Sequence, residues 1–88
     1  MSAPEKPAMA VALAYNHPGV PRVSASGRGS LAEKIVETAR ASGVPVEENP
    51  LLAEALSHVP LDEEIPVELY KAVAVVIGFV MRRQKALG

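Results

Sequence analysis

The chain of 88 residues contains no cysteine and no tryptophan, and its aromatic residues are two tyrosines and one phenylalanine. The absence of cysteine excludes disulfide bonds, thiolate nucleophiles and cysteine-based zinc sites. The two histidines, His17 and His58, could supply at most half of an ordinary metal site. Because 49% of the residues are hydrophobic and only 3% are aromatic, aliphatic side chains must form the core of a single small domain.

Charge is nearly balanced, with a formal net charge of −1, but it is unevenly spread. The acidic middle of the chain, residues 30–66, argues against nucleic-acid binding, which requires a basic surface. The basic C-terminal segment is more typical of a solvated helix end than of a membrane-surface contact. The longest apolar run, residues 72–81, covers only about half of a bilayer core, so we predict no membrane-spanning helix.

Three segments have the pattern of β-strands. AMAVALAYN, residues 8–16, alternates large and small apolar side chains, which predicts a buried strand. The turn formers of NHPGVP follow, and RVSAS, residues 22–26, alternates as a half-exposed antiparallel strand that Gly27 and Gly29 should end. VPVEE, residues 44–48, is predicted as a third strand, parallel to the second across a helical crossover.

Two helices are predicted between residue 30 and residue 60. Ser30 and Glu33 have the spacing of a capping box at the start of the first helix, and Gly43 is expected as its left-handed end. Its core stripe is predicted as Leu31, Ile35 and Ala39, with Ala32 and Val36 beside it. Asn49 and Pro50 predict the start of the second helix, with an apolar face of Leu52, Ala55, Leu56 and Val59.

The last helix is predicted from Pro66 to about Lys85 and has two apolar faces. One comprises Tyr70, Val73, Ala74, Ile77 and Met81, and the other comprises Val75, Val76 and Phe79. The predicted fold is α/β, a small three-layer-type sandwich in which a short mixed sheet of β-β-α-β-α-α order is flanked by helices.

No pattern in the chain predicts catalysis. GRGS, residues 27–30, could hold an anion at a helix start, but a turn that needs positive φ is favoured because two glycines without a Walker lysine are a weak signal. DEEIP, residues 62–66, contains the chain's one aspartate and could bind a divalent cation weakly, yet acids before a helix are expected on electrostatic grounds. We therefore predict a protein that is not an enzyme and has no cofactor and no metal.

Four stretches in order resemble the C-terminal cytoplasmic domain of the FlhB family, the export-switch proteins of flagellar and type III secretion. They are AVALAY (10–15), VPRVSASG (20–27), SGVPVEENPLLAEAL (42–56) and EEIPVELYKAVAVVIGFV (63–80). The resemblance covers nearly the whole chain from Ala10. It implies a polar leader, residues 1–9, followed by an FlhB-like domain, residues 10–88.

The family's self-cleavage motif does not stand in this sequence. In FlhB relatives, Asn-Pro-Thr-His precedes the first strand, whereas the aligned residues 5–8 read EKPA and offer no asparagine to cyclise. Asn49 and Pro50 are followed by leucines and are assigned to the helix start. The resemblance therefore implies a stand-alone paralogue without the membrane domain, with a trimmed form of a longer protein as the alternative.

The resemblance implies a non-catalytic component of the bacterial flagellar or type III export apparatus. It would be cytoplasmic, peripheral to the inner-membrane apparatus, and would dock export substrates or export-gate proteins in place of the FlhB C-terminal subdomain, including in the substrate specificity switch. The alternative is a cytoplasmic scaffold or accessory binding protein that kept the fold but lost the export role.

Two binding surfaces and a sheet edge are expected from the resemblance and from the helix pattern. The family's hydrophobic pocket aligns with Val20, Pro21, Ala74 and Ile77. Val75, where relatives commonly have a charged residue, lies at helical spacing from Phe79, which predicts a second contact surface for weak homo-oligomerisation or for binding another partner. The strand that precedes the cleavage motif in relatives is not in the sequence, so one sheet edge should be open to the corresponding strand of a truncated FlhB.

Overall fold

The computed structural model describes residues 8–15 and 19–87, with side chains described as far as residue 83. These residues form two strands, three α-helices and a short 3₁₀ helix: β1 (Met9–Ala14), β2 (Arg22–Arg28), α1 (Ser30–Ala41), α2 (Pro50–Leu56), the 3₁₀ helix Val67–Leu69 and α3 (Tyr70–Leu87). The predicted α/β class is confirmed. Half of the predicted NHPGVP turn, including His17, and nearly all of the polar leader lie outside the described residues.

The two strands pair antiparallel, as predicted. The register joins Met9 to Arg28 and Ala14 to Arg22, with an irregularity between Ala12 and Leu13. The second strand continues through Gly27, two residues past its predicted end. Val23 of this strand is completely buried and its neighbours Arg22 and Ser24 are exposed, which agrees with the predicted half-exposed strand.

The predicted third strand is wrong, because residues 44–49 form no strand. The edge of β2 opposite β1 is instead occupied by residues 62–65. Three backbone hydrogen bonds hold this segment, donated by Val23 to Glu63 (3.0 Å), by Asp62 to Val23 (2.7 Å) and by Ile65 to Pro21 (3.0 Å). Residues 44–49 lie beside α3 instead, tied to it by an ion pair between Glu47 and Arg83.

The start of α1 also differs from the prediction. Gly29, with φ of 61°, takes the N-cap position, and its carbonyl accepts a hydrogen bond from the Glu33 N–H at 3.1 Å. Ser30 is therefore the first helical residue and not the cap of a capping box. The helix buries Ala32, whereas Leu31, predicted in the core stripe, is 53% exposed.

The end of α1 confirms the predicted glycine cap. Gly43 has φ of 75°, in the left-handed region where a side chain is unfavourable. Its N–H donates to the Arg40 carbonyl, and the Val44 N–H donates to the Ala39 carbonyl at 2.8 Å. These two bonds form a Schellman motif, which satisfies carbonyls that the helix leaves without partners.

The second and third helices enclose the core. The Asn49 Oδ1 accepts a hydrogen bond from the Leu52 N–H at 3.1 Å, with Pro50 in the first turn, so the predicted start of α2 is confirmed. Pro66 precedes a 3₁₀ turn that leads directly into α3. The central buried residues are Leu56, Ile65 and Val73, packed against Val11, Leu13, Val20, Leu52, Leu69 and Ile77.

Candidate functional site

An apolar cleft of about 310 Å³ lies between the segment that leads into β2 and the core-facing side of α3. Its lining residues are Tyr15, Gly19, Val20, Pro21, Ile65, Tyr70, Val73, Ala74, Ile77 and Gly78. All four residues that the resemblance assigned to a pocket, Val20, Pro21, Ala74 and Ile77, are among them. The structure thus brings residues from the two ends of the chain together around one cavity.

The floor of the cleft is held by the core. Val73 is 1% exposed and Ile65 is 3% exposed, so their positions are set by packing within the protein. Pro21 is buried, and its carbonyl accepts the Ile65 N–H at 3.0 Å. Ala74, in contrast, is exposed on the helical wall. The cavity therefore has a rigid floor and an accessible rim.

The predicted pocket contained four of the ten lining residues and missed the other six, among them Ile65 and Gly78. Ile65 comes to the cleft only because its segment pairs with β2, a contact between residues more than forty positions apart in the chain. Gly78 stands in the interior of α3, and a Cβ there would meet only Arg82 at 3.8 Å. Its spacing of one helical turn from Ala74 was the available signal, since the two lie on the same side of the helix.

The chemistry of the cleft favours binding over catalysis. No carboxylate, imidazole or amine is found among its lining residues, whose polar side chains are those of Tyr15 and Tyr70. Among the described residues, no three histidine, aspartate or glutamate side chains converge on a position where they could hold a metal ion. Such a lining suits an apolar side chain of a bound segment.

The second predicted surface lies on the opposite side of α3. Val75 is 63% exposed and Phe79 is 45% exposed, and neither lines the cleft. The Arg83 guanidinium lies over the Phe79 ring, 5.1 Å from its centroid. The helix therefore has a buried face with Val73 and an exposed apolar face with Val75.

The turn at Gly29 and the pair at Asn49 have structural roles. The positive φ of Gly29 confirms the turn interpretation of GRGS. The neighbouring surface groove beside α1 is lined by two glutamates, Glu33 and Glu37, and one lysine, Lys34, so its net charge is negative, which opposes anion binding. The Asn49 side chain is engaged at the start of α2, as described above.

One edge of the sheet is open in the described part of the chain. The Gly29 N–H donates to the Ala8 carbonyl at 3.1 Å, and in an antiparallel ladder alternate residues face the partner strand. Met9, Val11 and Leu13 therefore turn their backbone groups away from β2. Among the described residues, none forms a backbone hydrogen bond to these outward groups.

None of the helices within residues 8–15 and 19–87 has the length and apolar character needed to cross a membrane. The last helix, α3, carries three arginine and lysine side chains among its described positions, at Lys71, Arg82 and Arg83.

Known proteins of similar sequence include bacterial export proteins. The chain is 36% identical over 80 residues to the uncharacterized protein YlqH of Bacillus subtilis, an alignment that covers 89% of this chain and 86% of YlqH. It is 44% identical over 80 residues to the flagellar biosynthetic protein FlhB of Aquifex aeolicus, covering 88% of this chain but only 23% of that protein. The chain thus spans less than a quarter of the length of this FlhB.

Solved structures similar to this chain are also cytoplasmic or C-terminal domains of such proteins. The crystal structure of the cytoplasmic domain of FlhB from Shewanella putrefaciens matches with a TM-score of 0.84 and 34% identity, over 90% of this chain and 67% of that one. The PscU C-terminal domain matches with a TM-score of 0.78 and 28% identity, over 82% of this chain and 95% of that one. Residues 7–80 match the model of the FlhB HrpN YscU SpaS family, and the chain belongs to that family.

Proposed function

We propose that this chain is a non-catalytic component of flagellar or type III protein export that binds export substrates or export-gate proteins. In that role it acts in the cytoplasm beside the inner-membrane apparatus, in place of the C-terminal part of FlhB. The proposal is supported by relatives named for flagellar biosynthesis and by HrcU of Ralstonia nicotianae, a hypersensitivity response secretion protein that is 37% identical over 73 residues.

The observation that carries the proposal is the cleft between residues 19–21 and α3. Its volume of about 310 Å³ is at the lower end of the range for binding cavities, and its lining is apolar. Because Val73 and Ile65 are fixed by the core, binding a side chain in the cleft costs little free energy for ordering these two residues. We propose that an apolar side chain from a short segment of the substrate fills it.

We predict that Ala74→Glu abolishes substrate docking without unfolding the protein. The substitution puts a carboxylate into the wall of an apolar cavity, where a bound apolar side chain would desolvate it. We expect the dissociation constant for an N-terminal segment of a rod or hook subunit to rise by at least about tenfold. The measurement is a titration of the labelled chain followed by backbone amide shifts.

The matched control is Ala41→Glu, the same change at an exposed alanine of α1 that does not line the cleft. Its affinity should equal that of the unmodified chain. Equal losses in both variants would place the binding site elsewhere. A chain that binds no export substrate segment, and that fails to restore motility to cells whose FlhB lacks its C-terminal part, would favour the scaffold role instead.

We further propose a partner for the open edge of β1. Backbone groups of Met9, Val11 and Leu13 face outward, and an unpaired edge is a template for strand addition. The corresponding strand of an FlhB that has lost its downstream fragment would fit this edge, so this chain would replace that fragment non-covalently.

If a strand adds to this edge, the changes in backbone amide signals should be confined to the sheet. A peptide with the sequence of that strand, taken from the FlhB of the same organism, should shift amide signals of β1 and leave those of α3 unchanged. A variant with Val11→Pro, which removes one outward N–H donor, should bind at least about threefold more weakly. Absence of binding at millimolar peptide would rule out this partner.

A further inference from the structure

The side of α3 that faces away from the core carries a row of exposed residues at alternating spacings of four and three. This row, which we call the α3 seam, comprises Glu68, Ala72, Val75, Phe79 and Arg82. Such spacing keeps side chains on one side of a helix and is the pattern by which two helices pair. Glu68 lies in the 3₁₀ turn that leads into α3, so the row begins at the very start of the helix.

The apolar centre of the seam has no partner within the described part of the chain. Val75 is 63% exposed and Phe79 is 45% exposed, while the opposite side of the same helix buries Val73 to 1% exposure. One helix cannot turn both faces to a single core. A contiguous apolar strip that remains exposed at helical spacing indicates a contact surface.

The charges at the two ends of the seam indicate what covers it. Glu68 lies at the N-terminal end of the seam and Arg82 at its C-terminal end. Neither forms an ion pair with any other described residue, whereas Arg83, which follows Arg82, pairs with Glu47. A second copy placed antiparallel would set Arg82 opposite Glu68 at both ends. A parallel copy would instead place like charges against each other at both ends.

We infer that the α3 seam is a two-fold self-association surface, on which a second copy of this chain packs antiparallel. With the axis at Val75, this residue meets its equivalent in the second copy. Phe79 then lies over Ala72 of the second copy, a large side chain against a small one. Lys71 comes beside the same Phe79 ring, on the side that Arg83 does not cover, where an ammonium group binds the ring face favourably.

The small size of the seam indicates that the affinity of this dimer is low. The helix has 18 residues and is about 27 Å long, so two such helices bury well under the roughly 1,200 Å² of the smallest stable interfaces. A contact this small is typical of weak, transient association, and we expect a dissociation constant on the order of 0.1–1 mM. Because the contact is symmetric, every substitution in the seam acts twice per dimer. This inference does not depend on the proposed export role.

The test is a dilution series of the full chain from about 2 mM to about 20 μM, followed by sedimentation velocity and by backbone amide shifts. We expect concentration-dependent shifts at the exposed positions of α3 and none at β1. Val75→Glu should raise the dissociation constant at least about tenfold, because it places two carboxylates at the axis. Val67→Glu is the matched control, since this valine is 68% exposed but lies off the seam.

Charge reversal distinguishes the antiparallel second copy from any other occupant. Glu68→Arg and Arg82→Glu should each weaken self-association at least about threefold, since each places like charges together at both ends of the dimer. An equimolar mixture of the two variants should regain the affinity of the unmodified chain. A chain that stays monomeric at 2 mM, equal losses in Val75→Glu and Val67→Glu, or single reversals without effect would each overturn the inference.

Discussion

Replacing Gly27 with alanine is expected to lower the free energy of unfolding by about 2–3 kcal/mol, by overpacking. A Cβ at this position would lie 2.4 Å from the Leu31 Cγ and 2.9 Å from the Leu31 Cβ. Rotation of the leucine side chain moves its Cγ but not its Cβ, so α1 must move away from the sheet. The midpoint of thermal unfolding should fall by roughly 8–20 °C.

Whether Gly27→Ala destabilises or stabilises the protein distinguishes a packing effect from the higher strand propensity of alanine. Glycine weakens a strand interior, so an alanine in β2 would stabilise the protein if no neighbour were in the way. Leu31→Ala alone should cost little, because Leu31 is 53% exposed. In the double variant Gly27→Ala/Leu31→Ala, the contacts with Cγ and Cδ2 are gone and only the 2.9 Å contact with the Cβ remains, so part of the loss should be recovered. A double variant as unstable as Gly27→Ala alone would contradict the contact.

Replacing Ile65 with alanine is expected to lower the free energy of unfolding by about 2–4 kcal/mol and to impair the cleft. Ile65 is 3% exposed in the central cluster, and its segment pairs with β2 through backbone hydrogen bonds. The truncation leaves a cavity between that segment and α3. Chemical denaturation and the substrate-segment titration should both register the change.

Leu61→Ala is the matched control, a leucine four positions earlier that is 58% exposed. Its free energy of unfolding should stay within about 0.5 kcal/mol of the unmodified chain. If the two variants lose equal stability, residues 62–65 are not a structural strand partner of β2. If Ile65→Ala unfolds the protein too far for binding to be measured, Ile65→Val, with an expected loss of about 1 kcal/mol, permits the titration.

Asp62 shows how the pairing of residues 62–65 is obtained. Its φ of 67° is left-handed, which aspartate tolerates better than most residues, and its N–H donates to the Val23 carbonyl at 2.7 Å. Its own carbonyl accepts a hydrogen bond from the Arg22 side chain at 2.9 Å. The turn thus lies where it can lead the chain back along β2. No local pattern in DEEIP predicts this conformation, because the bonds that hold it come from residues distant in sequence.

The cleft depends on the same long-range pairing. Resemblance located Val20, Pro21, Ala74 and Ile77, but it did not place Ile65 beneath them. The outward exposure of Val75 and Phe79 agrees with the spacing that predicted a second face of the last helix. Their role in binding stays a prediction, and the charge-reversal experiment above decides it.

Features that depend on residues close together in the chain could be predicted before the fold was known. The Asn49 cap of α2, the left-handed Gly43 at the end of α1 and the antiparallel pairing of the first two strands were all predicted correctly. Each is decided by local hydrogen bonding or by the alternation of side chains. For the same reason, the resemblance to the FlhB family could be recognised from short stretches of sequence.

Where two segments compete for one edge or one face, the outcome is visible only in the folded protein. VPVEE has the composition of a strand, yet β2 has a single free edge, and residues 62–65 occupy it. In α1, Ala32 and not Leu31 is buried, because the packing of the helix on the sheet selects the buried face. A local pattern states which residues are able to pair or to be buried. Which of them do so depends on the free energy of contacts between distant segments, and no short stretch of sequence contains that information.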